Sequence, residues 1–168
     1  SGSDDIDRYV KYNYEDNTWD IGSLSRTAWV DFGLHSKPRA AGVSDSLNYV
    51  YAHETGTTDD GDPMSPFIES SVFALGDGEQ FSFISRLIPD VDISSSSSNT
   101  TIDYVLKTRD YPGNSLTTNS TSSISSSTEQ AFLRSRARSA VLRVQSNAGD
   151  VQWTLGDVRL DIRPDGRR

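Results

Sequence analysis

Between Ser139 and Arg168 the apolar residues recur at alternate positions. Val151, Trp153 and Leu155 alternate with Gln152 and Thr154. Beyond Gly156, Val158, Leu160 and Ile162 alternate with Asp157, Arg159, Asp161 and Arg163. A repeat of two puts one class of side chain on each face of an extended chain, which demands half-buried β-strands and excludes a helix there. Upstream, Ala140, Leu142 and Val144 make another such face, and 146–150 is a connection of hairpin length. The pattern predicts a C-terminal hairpin whose second strand runs on through a kink at Gly156.

The same rhythm extends backwards, and helical periodicity is nearly absent. Strands are expected over 8–14, 26–31, 38–43 and 47–54, with the one at Pro38 on a sheet edge because proline lacks a ladder donor. Four short strands between turn residues have the size of one propeller-blade-like β-meander, which needs a neighbour to cover its faces. The turn-forming run Thr57 to Pro63 marks a boundary. Further strands follow: Phe67 to Leu75; a segment with Phe81, Phe83 and Ser85 on one face, closed by Pro89; and 102–108 with Ile102, Tyr104 and Leu106 inward. Tyr111-Pro112-Gly113-Asn114 reads as a turn. Polar Ser/Thr/Asn runs at 94–101 and 115–128 read as loops, the second long and mobile. The predicted class is all-β: a blade-like antiparallel segment over 4–62, then an antiparallel β-sandwich over 63–168. Ser1-Gly2-Ser3 reads as a cloning scar.

One domain of 168 residues would bury about 70% of its unfolded surface and needs no staples. There is no cysteine, which removes disulfides and thiolate metal sites. No apolar run approaches the ~20 residues of a membrane-spanning helix, and no secretory leader is recognisable. The net charge is −8, but residues 131–168 hold eight Arg against four Asp while the remainder is strongly acidic. That balance disfavours a general nucleic-acid binder.

Chemistry-bearing motifs are sparse. His53-Glu54 precedes Asp59, Asp60 and Asp62, yet the spacing matches neither a His-Glu-x-x-His helix nor a calcium loop, and an acidic surface turn accounts for it. Two histidines and many serines supply a triad inventory without a nucleophile elbow. The glycosylation-like triplets at Asn99 and Asn119 read as by-products of Ser/Thr-rich runs. Trp19, Trp29 and Trp153 could line a sugar-binding face or pack in the sheet. The strongest binding candidate is an arginine ladder, Arg134, Arg136, Arg138 and Arg143, placed along a strand to meet a partner subunit. Its structural alternative is pairing with carboxylates such as Asp103, Asp157 and Asp161. No catalytic residue, metal or cofactor is expected.

Taken as an ordered string, Tyr12-Asn13-Tyr14-Glu15-Asp16-Asn17-Thr18-Trp19, Gly22-x-Leu24-x-Arg26-Thr27-Ala28-Trp29 and Tyr51-x-His53-Glu54-x-Gly56 open a pattern. It continues through Phe67-Ile68-Glu69-Ser70, Gly76-Asp77-Gly78, Arg86-x-Ile88-Pro89-Asp90 and Trp153-x-Leu155-Gly156 to Arg159-Leu160-Asp161 and Pro164-Asp165-Gly166-Arg167-Arg168. The pattern, covering 9–168 apart from the serine runs, resembles the C-terminal region of tail-hub or packaged-DNA-stabilisation (head-completion) proteins of short-tailed bacteriophages and prophages. The resemblance implies a non-enzymatic virion protein, made in the bacterial cytoplasm and built into the tail or portal vertex. Its implied partners are other tail or portal proteins, with a homo-oligomeric ring in the full-length protein. Those proteins are several times longer, so this chain is expected to be a fragment. An independent carbohydrate- or receptor-binding sandwich is the alternative.

Overall fold

The computed structural model describes residues 6–31, 33–44, 47–95, 100–146 and 148–167. The scar at 1–3 and residues 96–99 of the serine run at 94–101 lie outside the described residues, while Ser94 and Ser95 end a strand instead of opening a loop. Every described element is a strand, every strand pairing is antiparallel, and no closed barrel or propeller forms among them. The chain divides into two compact units, at Gly56/Thr57, slightly before the expected boundary.

The N-terminal unit holds five strands in two sheets rather than one four-stranded meander. β1 (Arg8–Asn13) and β2 (Thr18–Ser23) form a hairpin. Its turn is fixed by the Asn13 side-chain oxygen, which accepts from the Glu15 amide, and by Asn17, which takes the left-handed conformation that asparagine tolerates. Tyr12 and Trp19 sit directly opposite each other with ring centroids 4.5 Å apart. β3 (Ala28–Val30), β4 (Arg39–Ser44) and β5 (Leu47–Ala52) form a meander with β4 in the middle. Pro38 thus precedes a central strand, not an edge. It stands just outside the ladder, where it forfeits no amide donor, and its carbonyl accepts from the His53 amide at 2.9 Å. Small residues floor the middle of this sheet. A Cβ on Gly42 would lie 3.0 Å from the Arg26 side chain and 3.1 Å from the Tyr51 ring, because the Arg26 guanidinium lies across that ring at 3.9 Å.

The C-terminal unit begins with a tight hairpin, β6 (Thr58–Asp59) and β7 (Asp62–Pro63). Its Asp60-Gly61 corner has both residues at positive φ, as the favoured two-residue hairpin turn requires. One sheet follows the order β13 (Thr117–Ile124), β12 (Ile102–Arg109), β15 (Ser139–Gln145), then β8 (Phe67–Glu69), with β9 (Phe73–Ala74) also on β15. The expected strand at 67–75 is therefore two short ones, separated at Ser70 to Val72 and docked on the same partner. The second layer is a long ribbon in which β10 (Ser82–Ile88) and β11 (Val91–Ser95) run against β17 (Arg159–Pro164) and β16 (Val151–Leu155). β14 (Ser135–Ala137) pairs with the outer side of β10.

Two expectations are overturned here. β15 and β16 do not form a hairpin: 146–150 carries the chain from one sheet to the other, so the two strands share the core instead of a ladder. Period-two patterning fixes which face is buried and leaves the choice of pairing partner open. The run 115–128 is not a mobile loop either. Eight of its residues make an edge strand on β12, because an edge needs only ladder bonds on one side and a single inward anchor, Ile124, which is wholly buried.

One core cluster joins both layers of this unit. Ile102, Tyr104, Leu106, Ile124, Ala140 and Val144 come from the first sheet, and Ile84, Leu87 and Val151 from the second. This is the antiparallel sandwich-like arrangement expected for the class. Ile84 and Leu87 are three apart yet both face inward, because Ser85 is an extra residue, a bulge between the pairs Ile84–Ile162 and Arg86–Asp161. The buried set of β10 is therefore Ser82, Ile84 and Leu87, while Phe83 and Ser85 are only partly covered, opposite to the expected phase. On the other side of the ribbon Gly156 makes the predicted kink. The Asp90 carbonyl accepts from its amide at 2.8 Å, and a Cβ there would collide with the Asp90 carboxylate at 2.5 Å. Asn119 is a second bulge residue, between the pairs Leu106–Ser120 and Lys107–Thr118. Its amide donates to Thr108 Oγ1 at 2.9 Å and to Ser135 Oγ at 2.8 Å, stitching the two layers along one seam.

Candidate functional site

The four arginines of the ladder share a stretch of sequence but not a surface environment. Arg134 is exposed and has left-handed backbone, so it precedes β14 rather than lying on it. Arg136, on β14, donates from Nε to Asp165 Oδ2 at 2.6 Å and stacks over Phe81 at 4.0 Å. Arg138, between β14 and β15, leans over both Phe81 and Tyr111 and donates to the Arg167 carbonyl at 3.2 Å. Its Nε is buried and has no partner among the described residues. Arg143, on β15, stacks over Phe67 at 3.8 Å, donates to Gln145 Oε1 at 2.7 Å and approaches Glu69 at 3.4 Å.

The pairing carboxylates are thus Asp165 and Glu69, not Asp103, Asp157 or Asp161. Asp161 is taken by Arg86 at 3.3 Å, and Asp103 accepts from Ser123 at 2.6 Å. Asp157 donates its amide to the Asp90 carboxylate at 3.0 Å. Solvent-exposed pairs of this kind contribute about 0–1 kcal/mol each. What the guanidinium groups do here is cover aromatic rings at the ends of strands, holding Phe81, Tyr111 and Phe67 in place. Glu69 is the most constrained acid. The hydrogen bond from Lys107, at 2.6 Å, pulls its carboxyl below the ordinary 4.5, against a partial burial that raises it, and Arg143 adds to the pull.

His53 belongs to the N-terminal unit, where its Nε2 accepts from Arg26 Nε at 3.3 Å and its ring packs on Trp29 at 4.6 Å. Asp59, Asp60 and Asp62 belong to the hairpin of the C-terminal unit. Among the described residues no group of three or more acids and histidines is arranged to hold a metal ion. The tryptophans divide by unit. Trp153 is half-buried against the sandwich core, whereas Trp19 and Trp29 are exposed, Trp19 by 69%.

The N-terminal surface has the uncovered faces expected of a lone blade-like segment, although its strands form two sheets. Among its described residues Ala40 is the one buried hydrophobic side chain, while Val10, Tyr14, Trp19, Ile21, Val30 and Val50 all stand exposed. The signal was present in the strands themselves, since 8–14 and 47–52 carry apolar residues on both faces instead of alternating cleanly. Such a sheet has two apolar sides and no core of its own. In comparisons with known proteins, no family model and no curated protein matches the chain.

Proposed function

We propose that this chain is the C-terminal part of a non-enzymatic structural protein of a bacteriophage tail hub or head-completion assembly. It is made in the bacterial cytoplasm and incorporated at the tail or portal vertex, where it contacts other tail or portal proteins and helps to retain or conduct packaged DNA. The observation that carries the reading is the N-terminal unit: strands that bury almost none of their own apolar surface are stable when neighbouring subunits cover them. The ordered resemblance along 9–168 supplies the kind of assembly. The long strands and compact C-terminal core provide a rigid support of the sort that particle components need. Arg136, Arg138 and Arg143 act within this reading as covers for aromatic rings of the C-terminal unit, with Arg134 exposed before β14, rather than as a grip on DNA. The acidic balance of the whole chain favours passage of a duplex over its capture.

The test is to purify particles after prophage induction in the source strain and locate the protein by quantitative mass spectrometry and immunogold labelling. Stoichiometric presence at the vertex is expected. Recovery only from the particle-free lysate would sink the proposal. A second reading, an independent carbohydrate- or receptor-binding module, is favoured by one feature, the exposed Tyr12–Trp19 stack. It requires that soluble glycans raise the melting temperature, an effect absent from a purely structural subunit.

A further inference from the structure

The sandwich of the C-terminal unit has two seams, and only one is stitched. On the stitched side Asn119 ties β13 and β12 to β14. On the other side β8 pairs only with β15, and β16 pairs only with β11. Each therefore presents an unpaired backbone edge, and between those edges runs a groove of about 510 Å3, lined by Phe67, Ile68, Val151, Trp153 and Leu155. Phe67 and Ile68 are exposed by 55% and 51%. β8 is antiparallel to β15 and β16 is antiparallel to β11, so the free edge of each can accept an added extended strand. The rim is acidic on the β16 side, whereas on the β8 side Arg143 covers Phe67 and is paired with Glu69. Asp150 and Asp157 bracket β16, and Asp59, Asp60 and Asp62 are tethered beside Asp150 through the Thr57 hydroxyl, which donates to it at 2.9 Å. None of these five is ion-paired among the described residues.

We propose that this open seam is a strand-addition site for an extended segment of another protein, apolar at alternate positions and carrying Lys or Arg at its ends. Unpaired edges supply backbone hydrogen bonds, the alternating pockets select side chains, and the acidic rim selects the basic ends. Charge complementarity sets the choice of occupant: a net-negative second copy of this chain is disfavoured at an acidic rim. The site stands on the C-terminal unit alone and does not depend on the particle in which the protein works.

The probe is a capped peptide, Arg-Val-Thr-Val-Thr-Val-Arg, titrated into the full chain carrying Trp19→Phe and Trp29→Phe, so that Trp153 alone reports. The expected result is a saturable change in Trp153 emission, with slowed amide exchange at alternate positions of Val151–Leu155 and within Phe67–Glu69. The same peptide with Glu ends, or the original peptide against Asp150→Lys/Asp157→Lys, should bind about tenfold or more weakly. A peptide with a central proline should not bind. Equal affinity for the proline peptide would remove strand addition, and equal affinity for the Glu peptide would remove the basic partner. Those amides of β16 that point away from β11, if already protected in the dilute, peptide-free chain, would overturn the proposal, as would self-association that protects them at higher concentration.

Discussion

Tyr104 stands in the middle of β12 with its side chain wholly buried, and its hydroxyl meets no hydrogen-bond partner among the described residues. Burial, reinforced by the negative charge of Asp90, pushes that hydroxyl up to about 12, so it stays neutral at any physiological pH. A buried donor without a partner costs about 1–3 kcal/mol. Tyr104→Phe, which keeps the ring and drops the oxygen, is therefore expected to leave stability unchanged or raise it by about 1 kcal/mol, read from chemical denaturation. A clear loss would mean that the hydroxyl is satisfied in solution. Glu69 gives a pH prediction. Its folded pKa lies below 4.5, so its stabilising contribution is complete above that value and is lost as the pH falls through the lower folded value. Denaturation midpoints of the parent and of Glu69→Gln should therefore differ at neutral pH and converge on the acid side.

At the scale of elements, what could be read from the sequence was phase, and what could not was partnership. Ile102, Tyr104 and Leu106 face inward as their alternation predicts, and Pro89, Pro112-Gly113 and Gly156 end or bend strands where expected. The pairing of β16 with β11 instead of β15 depends on contacts far apart in sequence, which no local pattern encodes. The inward turn of Ile84 was hidden because a bulge at Ser85 shifts the phase within one strand, so that Ile84 and Leu87 both face the core. The strand β13 was hidden by composition: its Ser and Thr side chains look like loop residues, yet β-branched threonine suits an edge. Ile124 distinguishes the two possibilities. Ile124→Ala should cost about 2–4 kcal/mol by calorimetry, as for a core isoleucine, whereas in a mobile loop the change would be silent. The candidate arginines were legible as residues, but their Asp165 and Glu69 partners, and hence their structural task, were not.

For the whole molecule, the two units differ in what holds them together. Residues 57–168 carry a continuous core, whereas 1–56 display tyrosine, tryptophan and valine to solvent. A protein beginning at Thr57 should therefore unfold in one cooperative transition with dispersed amide resonances. Residues 1–56 alone should lack a sharp transition, because an isolated hairpin and a small meander are marginal in water. If the shorter piece melts cooperatively, its exposed apolar surface has an internal explanation and the argument for covering neighbours loses its footing. Duplex DNA should bind the full chain weakly at physiological salt, measured by fluorescence anisotropy, since the net charge opposes condensation on phosphate.

The bulge at Ser85 has a consequence in genetic terms. It is an additional residue opposite an uninterrupted partner, so an in-frame loss of its codon leaves the pairs Ile84–Ile162 and Arg86–Asp161 as neighbours and keeps Leu87 inward. β15, by contrast, matches β12 residue for residue from Ser139 to Gln145, and a codon lost there turns Val144 towards solvent. Single-codon deletions should therefore be tolerated in one strand of the sandwich and purged from the other, although both strands are equally central to its core.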